Sequence, residues 1–159
     1  MLTQTDNFVS IAKEYCAWAE GAPLAPENEA RKAIQLLVTL YANILALPNN
    51  GCGEDRTAQE ITTEEWQVIY KRFGSLPFNY YCVSFSPANI EEKSSIGDLA
   101  DDLADIYRDI KDGLRLYENG HTTEAIWEWK HGFNIHWGRH AASALHALQS
   151  YMADEYLEL

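Results

Sequence analysis

Apolar residues recur along most of the chain with the spacing of helices. Phe8, Ile11, Tyr15, Trp18 and Ala19 follow intervals of three and four, predicting a first helix that the stretch "EGAPLAP" stops. Pro26 suits the first turn of a second helix, whose apolar face is Leu36, Leu37, Leu40, Tyr41, Ile44 and Leu45 and which "LPNNGCG" ends. Residues 48–61 read as a polar loop. Thr62 with Glu65 makes a capping box for a short third helix through Trp66, Ile69, Tyr70 and Phe73. The segment "LPFNYYCVSFSP" (76–87) departs from the helical period. It is aromatic and β-branched and bounded by prolines, so it predicts an extended segment or short hairpin strand near 78–86. Ser95 with Asp98 opens a fourth helix running to about Glu118, where "ENGH" breaks it. Thr122 or Thr123 then caps a fifth and longest helix that continues to about Tyr156. No internal repeat or linker divides the chain. The expected fold is mainly α: a single domain, residues 1–159, built as a bundle of about five helices.

The polar positions of the last two helices are less ordinary. At about 100° per residue, Ile96, Leu99, Leu103, Ile106, Ile110, Leu114 and Tyr117 form one stripe of the fourth helix. Asp98, Asp102, Asp105, Asp109 and Asp112 form another, with Asp101 at its edge. Like charges three or four apart repel by a few tenths of a kcal/mol per pair, roughly, and aspartate is a poor helix former. Solvated faces usually mix Glu with Lys, whereas this one is nearly pure Asp. It is therefore a candidate divalent-cation site or contact for a basic partner, set against the plainer reading of a solvated face. "DDLAD" (101–105) has the form of the aspartate-rich motif of isoprenoid-diphosphate synthases, but the chain is short, lacks a second such motif and clusters no cations to hold a diphosphate.

The fifth helix gathers three of the five tryptophans and three of the five histidines into "WEWKHGFNIHWGRHA" (127–141). Its apolar face is Ile126, Trp129, Phe133, Trp137, Ala144, Leu148 and Tyr151. Glu128 and His131, spaced as in di-iron bundles, fall nearly opposite that face and are expected in solvent. His136 and His140 lie on the apolar side, four apart, a spacing that can grip one metal ion; no Glu follows the first, so "HWGRH" is not a zincin motif. Gly132 and Gly138 suggest close packing, a kink or a break. If the fourth and fifth helices pack antiparallel across "ENGHTT", Asp102 or Asp109 meets His136 or His140. That contact would be a structural hydrogen bond, a cation site or a general-base pair.

Composition narrows the function. Hydrophobic residues are 47% and charged residues 23%, and 24 acidic side chains against 12 basic ones give a net charge of −12. Nucleic acid and anionic membrane surfaces are disfavoured, because the cations are few and scattered. Cys16, Cys52 and Cys82 form no C-x-x-C, no signal peptide is visible, and the most apolar stretch (36–47) is too short to span a bilayer, so a reduced cytoplasmic setting is expected.

The run 99–148 carries "DDLADIYRDIKDGL" and "AIWEWKHGFNIHWGRHA", with "YYCVSFSP" upstream. In these pieces, mainly over residues 80–148, the chain resembles the bacterial domain-of-unknown-function 5063 family. The resemblance implies a mainly helical bacterial protein and supplies no reaction, cofactor or residue role. The leading expectation is a non-catalytic acidic binding or regulatory protein that engages a basic protein or a second copy of itself. Its binding residues would be Asp102, Asp105, Asp109, Trp129, His136, Trp137 and His140. The alternative is an all-helical, divalent-metal-dependent hydrolase with an Asp/His site between the fourth and fifth helices. No cofactor is expected on the first reading; on the second, Asp102, Asp109, His136 and His140 would hold the cation.

Overall fold

A computed structural model describes residues 1–53 and 59–159; of the loop expected over 48–61, residues 54–58 lie outside the described part. Helix α1 spans Gln4–Glu20, α2 Pro26–Ala46, α3 Thr63–Arg72 and α4 Leu99–Glu118. The last rod consists of α5, Thr122–Gly132, a π-helical segment Phe133–Trp137, and α6, Gly138–Asp154. The backbone stays in the right-handed helical region from Gly132 through Gly138, so the rod is widened there and not broken. Among the described residues, five helical rods, the third followed by a short 3-10 turn at Phe73–Ser75, are accompanied by one two-stranded antiparallel ribbon, β1 (Tyr80–Val83) with β2 (Ser95–Asp98).

Local signals explain most boundaries. Thr3 with Asp6 and Thr62 with Glu65 form capping boxes for α1 and α3, and Pro26 opens α2. The turn after α4 is a Schellman closure. Gly120 takes φ +85°, its N–H donates to the Tyr117 carbonyl, and the His121 N–H reaches back to Leu116.

Several sequence expectations need correction. Ser95 does not cap α4, because residues 95–98 are a strand and Ile96 is exposed on it. Asp98 alone is the N-cap, accepting from the Asp101 N–H, and Asn79 on the incoming chain takes the Leu99 and Ala100 N–H groups through its carbonyl and Oδ1. Neither Thr122 nor Thr123 caps α5; the N-cap is His121, without a side-chain bond, and the rod stops at Asp154 rather than Tyr156. Leu45 projects from α2 into solvent.

The buried residues of the helices form one hydrophobic cluster. Inside it, Glu29 of α2 is fully buried, taking bonds from Trp18 Nε1 and the Leu24 N–H and an ion pair from Arg72 at 2.7 Å. Trp129 packs its indole on Gly113, where any Cβ would fall 2.1 Å from Nε1. That close approach draws α4 and the last rod together, and the site lies along their seam.

Candidate metal centre

Helix α4 and the last rod run antiparallel, so their residues meet in opposite order: Asp102 faces His140, Asp109 faces His136, and Asp105 lies between. His140 Nδ1 is 2.6 Å from Asp102 Oδ1 and His136 Nδ1 is 2.7 Å from Asp109 Oδ2. An ionised carboxylate only accepts hydrogen bonds, so each pairing places a proton on Nδ1 and leaves the Nε2 side of the ring facing inward. Both Nε2 atoms approach the same oxygen, Asp105 Oδ2, at 3.5 Å for His136 and 3.7 Å for His140. The two rings stand 4.8 Å apart between centroids, close to perpendicular.

A surrounding layer fixes these groups. Asp105 Oδ1 accepts from Trp66 Nε1 at 2.9 Å and pairs with Arg108 at 2.9 Å, which turns Oδ2 toward the imidazoles. Asp102 is buried, and its second oxygen accepts from the Tyr81 hydroxyl. The hydrogen bond with Asp102 raises the His140 pKa above its ordinary value against the opposing effect of burial. Burial, followed by Asp105, Asp98 and Asp102, raises the pKa of Asp101. Asp101 and both histidines line a cavity of about 290 Å³ together with Tyr81, Gly97 and Arg139.

The π segment contributes His136. Its wider turn carries the Phe133 carbonyl over residue 138, where a Cβ would come within 2.4 Å, so only glycine fits there. The Trp129 carbonyl meanwhile accepts from Trp137 Nε1.

The structure therefore brings Asp102, Asp105, Asp109, His136 and His140 together, but in altered roles. Asp102 and Asp109, expected as cation ligands, grip Nδ1 atoms from behind, and Asp105 takes the inner position instead. Trp129 and Trp137 are fully buried core residues whose indoles bond backbone carbonyls, and they do not reach the cluster. Glu128 is partly buried and His131 is exposed, stacked on Trp127. Trp66, Tyr81 and Arg108 belong to the site and were not anticipated. Trp66 and Tyr81 come from other elements, and Arg108 lies on α4 itself, three residues beyond Asp105. A buried-facing aspartate stripe in need of donors was the available signal.

When both imidazoles are neutral with the proton on Nδ1, Asp105 Oδ2 and the two Nε2 atoms are three electron-pair donors converging on one another, and a cation would displace the additional proton that the raised pKa of His140 favours. Tetrahedral coordination with bonds of about 2.0–2.1 Å sets neighbouring donors about 3.3 Å apart. The 3.5 and 3.7 Å from Asp105 Oδ2 need a few tenths of an ångström of contraction, and the three donor atoms all lie within 4.8 Å of one another, so closing on one ion would also draw the two rings together. Two imidazoles and one carboxylate suit zinc, iron, manganese or nickel better than calcium or magnesium, and carboxylates behind the Nδ1 atoms are the usual support of such ligands.

Comparison with known proteins adds the fold and the family. A crystal structure of protein BF1032 from Bacteroides fragilis superposes with a TM-score of 0.77 at 22% identity, covering 92% of this chain and 91% of that one, so the two share a fold. No curated protein matches the chain. Similarity to the family described as a domain of unknown function, DUF5063, extends over residues 2–154, well beyond the 80–148 that carry its most recognisable pieces, and the chain belongs to that family.

Proposed function

We propose that this protein binds one divalent transition-metal ion through Asp105 Oδ2, His136 Nε2 and His140 Nε2, and that it is a metal-dependent hydrolase. The convergence of these three atoms, backed by Asp102 and Asp109, carries the reading. Three protein ligands leave at least one coordination position for water, and a metal-bound water is a nucleophile near neutral pH. Asp101 lines the same cavity, and burial raises its pKa above the ordinary carboxylate value, so its ionised form would be a stronger base for taking a proton from such a water.

The aspartates that motivated a solvated or partner-binding face are largely engaged inward, which weighs for the metal reading. An acidic binding role remains the second reading, supported by the net charge of −12 and by a separate groove described below. The three cysteines form no disulfide. Among the described residues no helix is long and apolar enough to cross a membrane.

Calorimetric titration of the full chain with zinc, manganese and nickel tests the centre. One site per chain is expected, lost in His140→Ala and in Asp105→Asn. Absence of both heat and thermal stabilisation with every metal refutes it. A panel of chromogenic esters and phosphoesters, run with the metal that binds, tests the hydrolase assignment separately.

A further inference from the structure

A second cavity, about 630 Å³, lies between the ribbon and α6. Its ribbon wall is Tyr80, Tyr81, Cys82, Val83 and Ser84, consecutive residues whose side chains alternate between the two faces of the strand, and no residue of β2 contributes. The groove therefore runs along the edge of β1 that β2 leaves uncovered. The opposite wall is one stripe of α6: Ser143, His146, Ala147, Ser150, Tyr151 and Asp154.

The register shows what that edge offers. Leu99 donates to the Asn79 carbonyl at 2.8 Å, so the 79–99 pair is hydrogen-bonded. Alternation makes Tyr81↔Gly97 and Val83↔Ser95 hydrogen-bonded pairs as well. The N–H and C=O groups of Tyr80 and Cys82 consequently point into the groove, and no hydrogen bond among the described residues reaches them. Five strand residues at about 3.3 Å each give an edge of roughly 16 Å, and α6 from 142 to 154 gives about 18 Å. An extended segment of about five residues fits that length.

Charge selects the occupant. Asp154 and Glu155 close one end of the groove with no salt bridge among the described residues, and the chain carries −12 overall. A second copy of so acidic a chain is disfavoured, whereas a basic segment is attracted. We infer that the groove between the free edge of β1 and α6 docks an extended, basic segment of a partner protein by strand addition. Its backbone pairs with Tyr80 and Cys82, apolar side chains pack on Phe78 and Tyr151, and a cationic side chain meets Asp154 and Glu155. This inference is independent of the metal centre.

The test uses the full ¹⁵N-labelled chain and four blocked hexapeptides. One alternates lysine with valine, one alternates glutamate with valine, and two are versions of the lysine peptide N-methylated at odd or at even residues. The lysine peptide should bind about tenfold more tightly than the glutamate peptide and slow amide exchange at Tyr80 and Cys82. One N-methylated version should lose about tenfold and the other bind like the parent, because only one peptide edge faces β1. Asp154→Lys with Glu155→Lys, both exposed, should reverse the preference between lysine and glutamate peptides. Cys82→Pro should weaken binding by removing an edge donor. The inference is overturned by no binding of the lysine peptide up to the order of 1 mM, or by equal binding of lysine and glutamate peptides. Indifference to both N-methylation patterns overturns it too, as does a β1-edged homodimer, seen by light scattering, that the peptide does not dissociate.

Discussion

Replacing Asp102 by asparagine separates a metal centre from a merely structural Asp–His pair. Asp102 accepts twice, from His140 Nδ1 at 2.6 Å and from the Tyr81 hydroxyl. Asparagine keeps one accepting oxygen and presents an NH₂ group to the other partner. Tyr81 can rotate its hydroxyl to accept from that group. His140 can accept only by moving its proton to Nε2, which fills the electron pair that a metal would use. Hydrogen bonds to charged groups are worth about 1.5–3 kcal/mol. Relief of repulsion with Asp98, Asp101 and Asp105 returns a few tenths per pair, roughly. The metal-free variant should therefore be destabilised by about 1–2 kcal/mol, or roughly 2–8 °C in melting temperature. Loss of a carboxylate behind a ligating histidine typically lowers metal affinity about 10- to 100-fold. At a zinc concentration of about 100 times the wild-type Kd, wild type gains about 2.7 kcal/mol and the variant only about 0.4–1.4. Thermal denaturation with and without zinc reads this difference, and ¹⁵N chemical shifts of the His140 ring report its tautomer. Tyr81→Phe is the control, since it leaves both carboxylate oxygens in place. If Asp102→Asn keeps the full zinc-dependent shift while His140 has moved its proton to Nε2, the assigned ligand set is refuted.

Three further predictions concern the scaffold. Asp112 accepts from the Ile61 N–H at 2.7 Å, and its pKa is pushed up to about 6, chiefly by burial, with Glu60 and Asp109 adding to the rise and Ile61 and Arg115 opposing it. Because the folded value lies above the unfolded value of about 3.9, its favourable contribution is complete below about pH 4 and lost as pH rises through about 6. Asp112→Asn, which keeps the accepting oxygen, should match wild type near pH 4 and exceed it above about pH 7 in urea denaturation; a constant offset across that range would contradict the assignment. Gly113→Ala sets a methyl group 2.1 Å from Trp129 Nε1, so the indole must shift and its bond to Ile110 loosen. A loss of about 1–3 kcal/mol is expected by chemical denaturation, and no change would mean that α4 and α5 pack less closely than described. Glu29→Ala strands Arg72, Trp18 Nε1 and the Leu24 N–H in the interior, and about 3–5 kcal/mol of stability should go with it; retention of wild-type stability would show that water reaches those groups.

The helices were legible in the sequence because their apolar faces are periodic and their ends carry local signals that the structure uses: the Thr62–Glu65 capping box, the Pro26 start and the Gly120 stop. Residues 95–98 were misread because S-x-x-D has the form of a helix cap. A four-residue strand gains its identity from β1, some fifteen residues upstream, and nothing within it records that partner. The antiparallel seam could be anticipated, and with it the meeting of His136 and His140 with aspartates. The choice of Asp105 as the inner carboxylate could not. It depends on Trp66 and Arg108 turning one oxygen away, and Trp66 comes from a helix some forty residues away in sequence. The paired glycines marked an irregularity near 132–138, but its nature as a widened turn follows from the close approach of Phe133 to Gly138.

The stripe's composition also has a physical cause. On a surface facing water, glutamate would serve as well as aspartate and favour the helix more. Here the carboxylates lie where α4 meets other elements, and most have a specific donor at hydrogen-bonding range. Asp98 takes the Asp101 N–H and Tyr70, Asp102 takes Tyr81 and His140, Asp105 takes Trp66 and Arg108, Asp109 takes His136, and Asp112 takes the Ile61 N–H. A further methylene would carry each carboxylate about 1.5 Å outward, past donors now no more than 3.1 Å away. The short side chain fits where the longer one would not, and these contacts offset the repulsion that the stripe builds into the helix. A run of aspartate without glutamate on a helix that also has an apolar face is therefore a sign of carboxylates facing protein. The exception supports this reading. Asp101, at the edge of the stripe, lines the cavity, and its raised pKa reflects burial beside Asp105, Asp98 and Asp102.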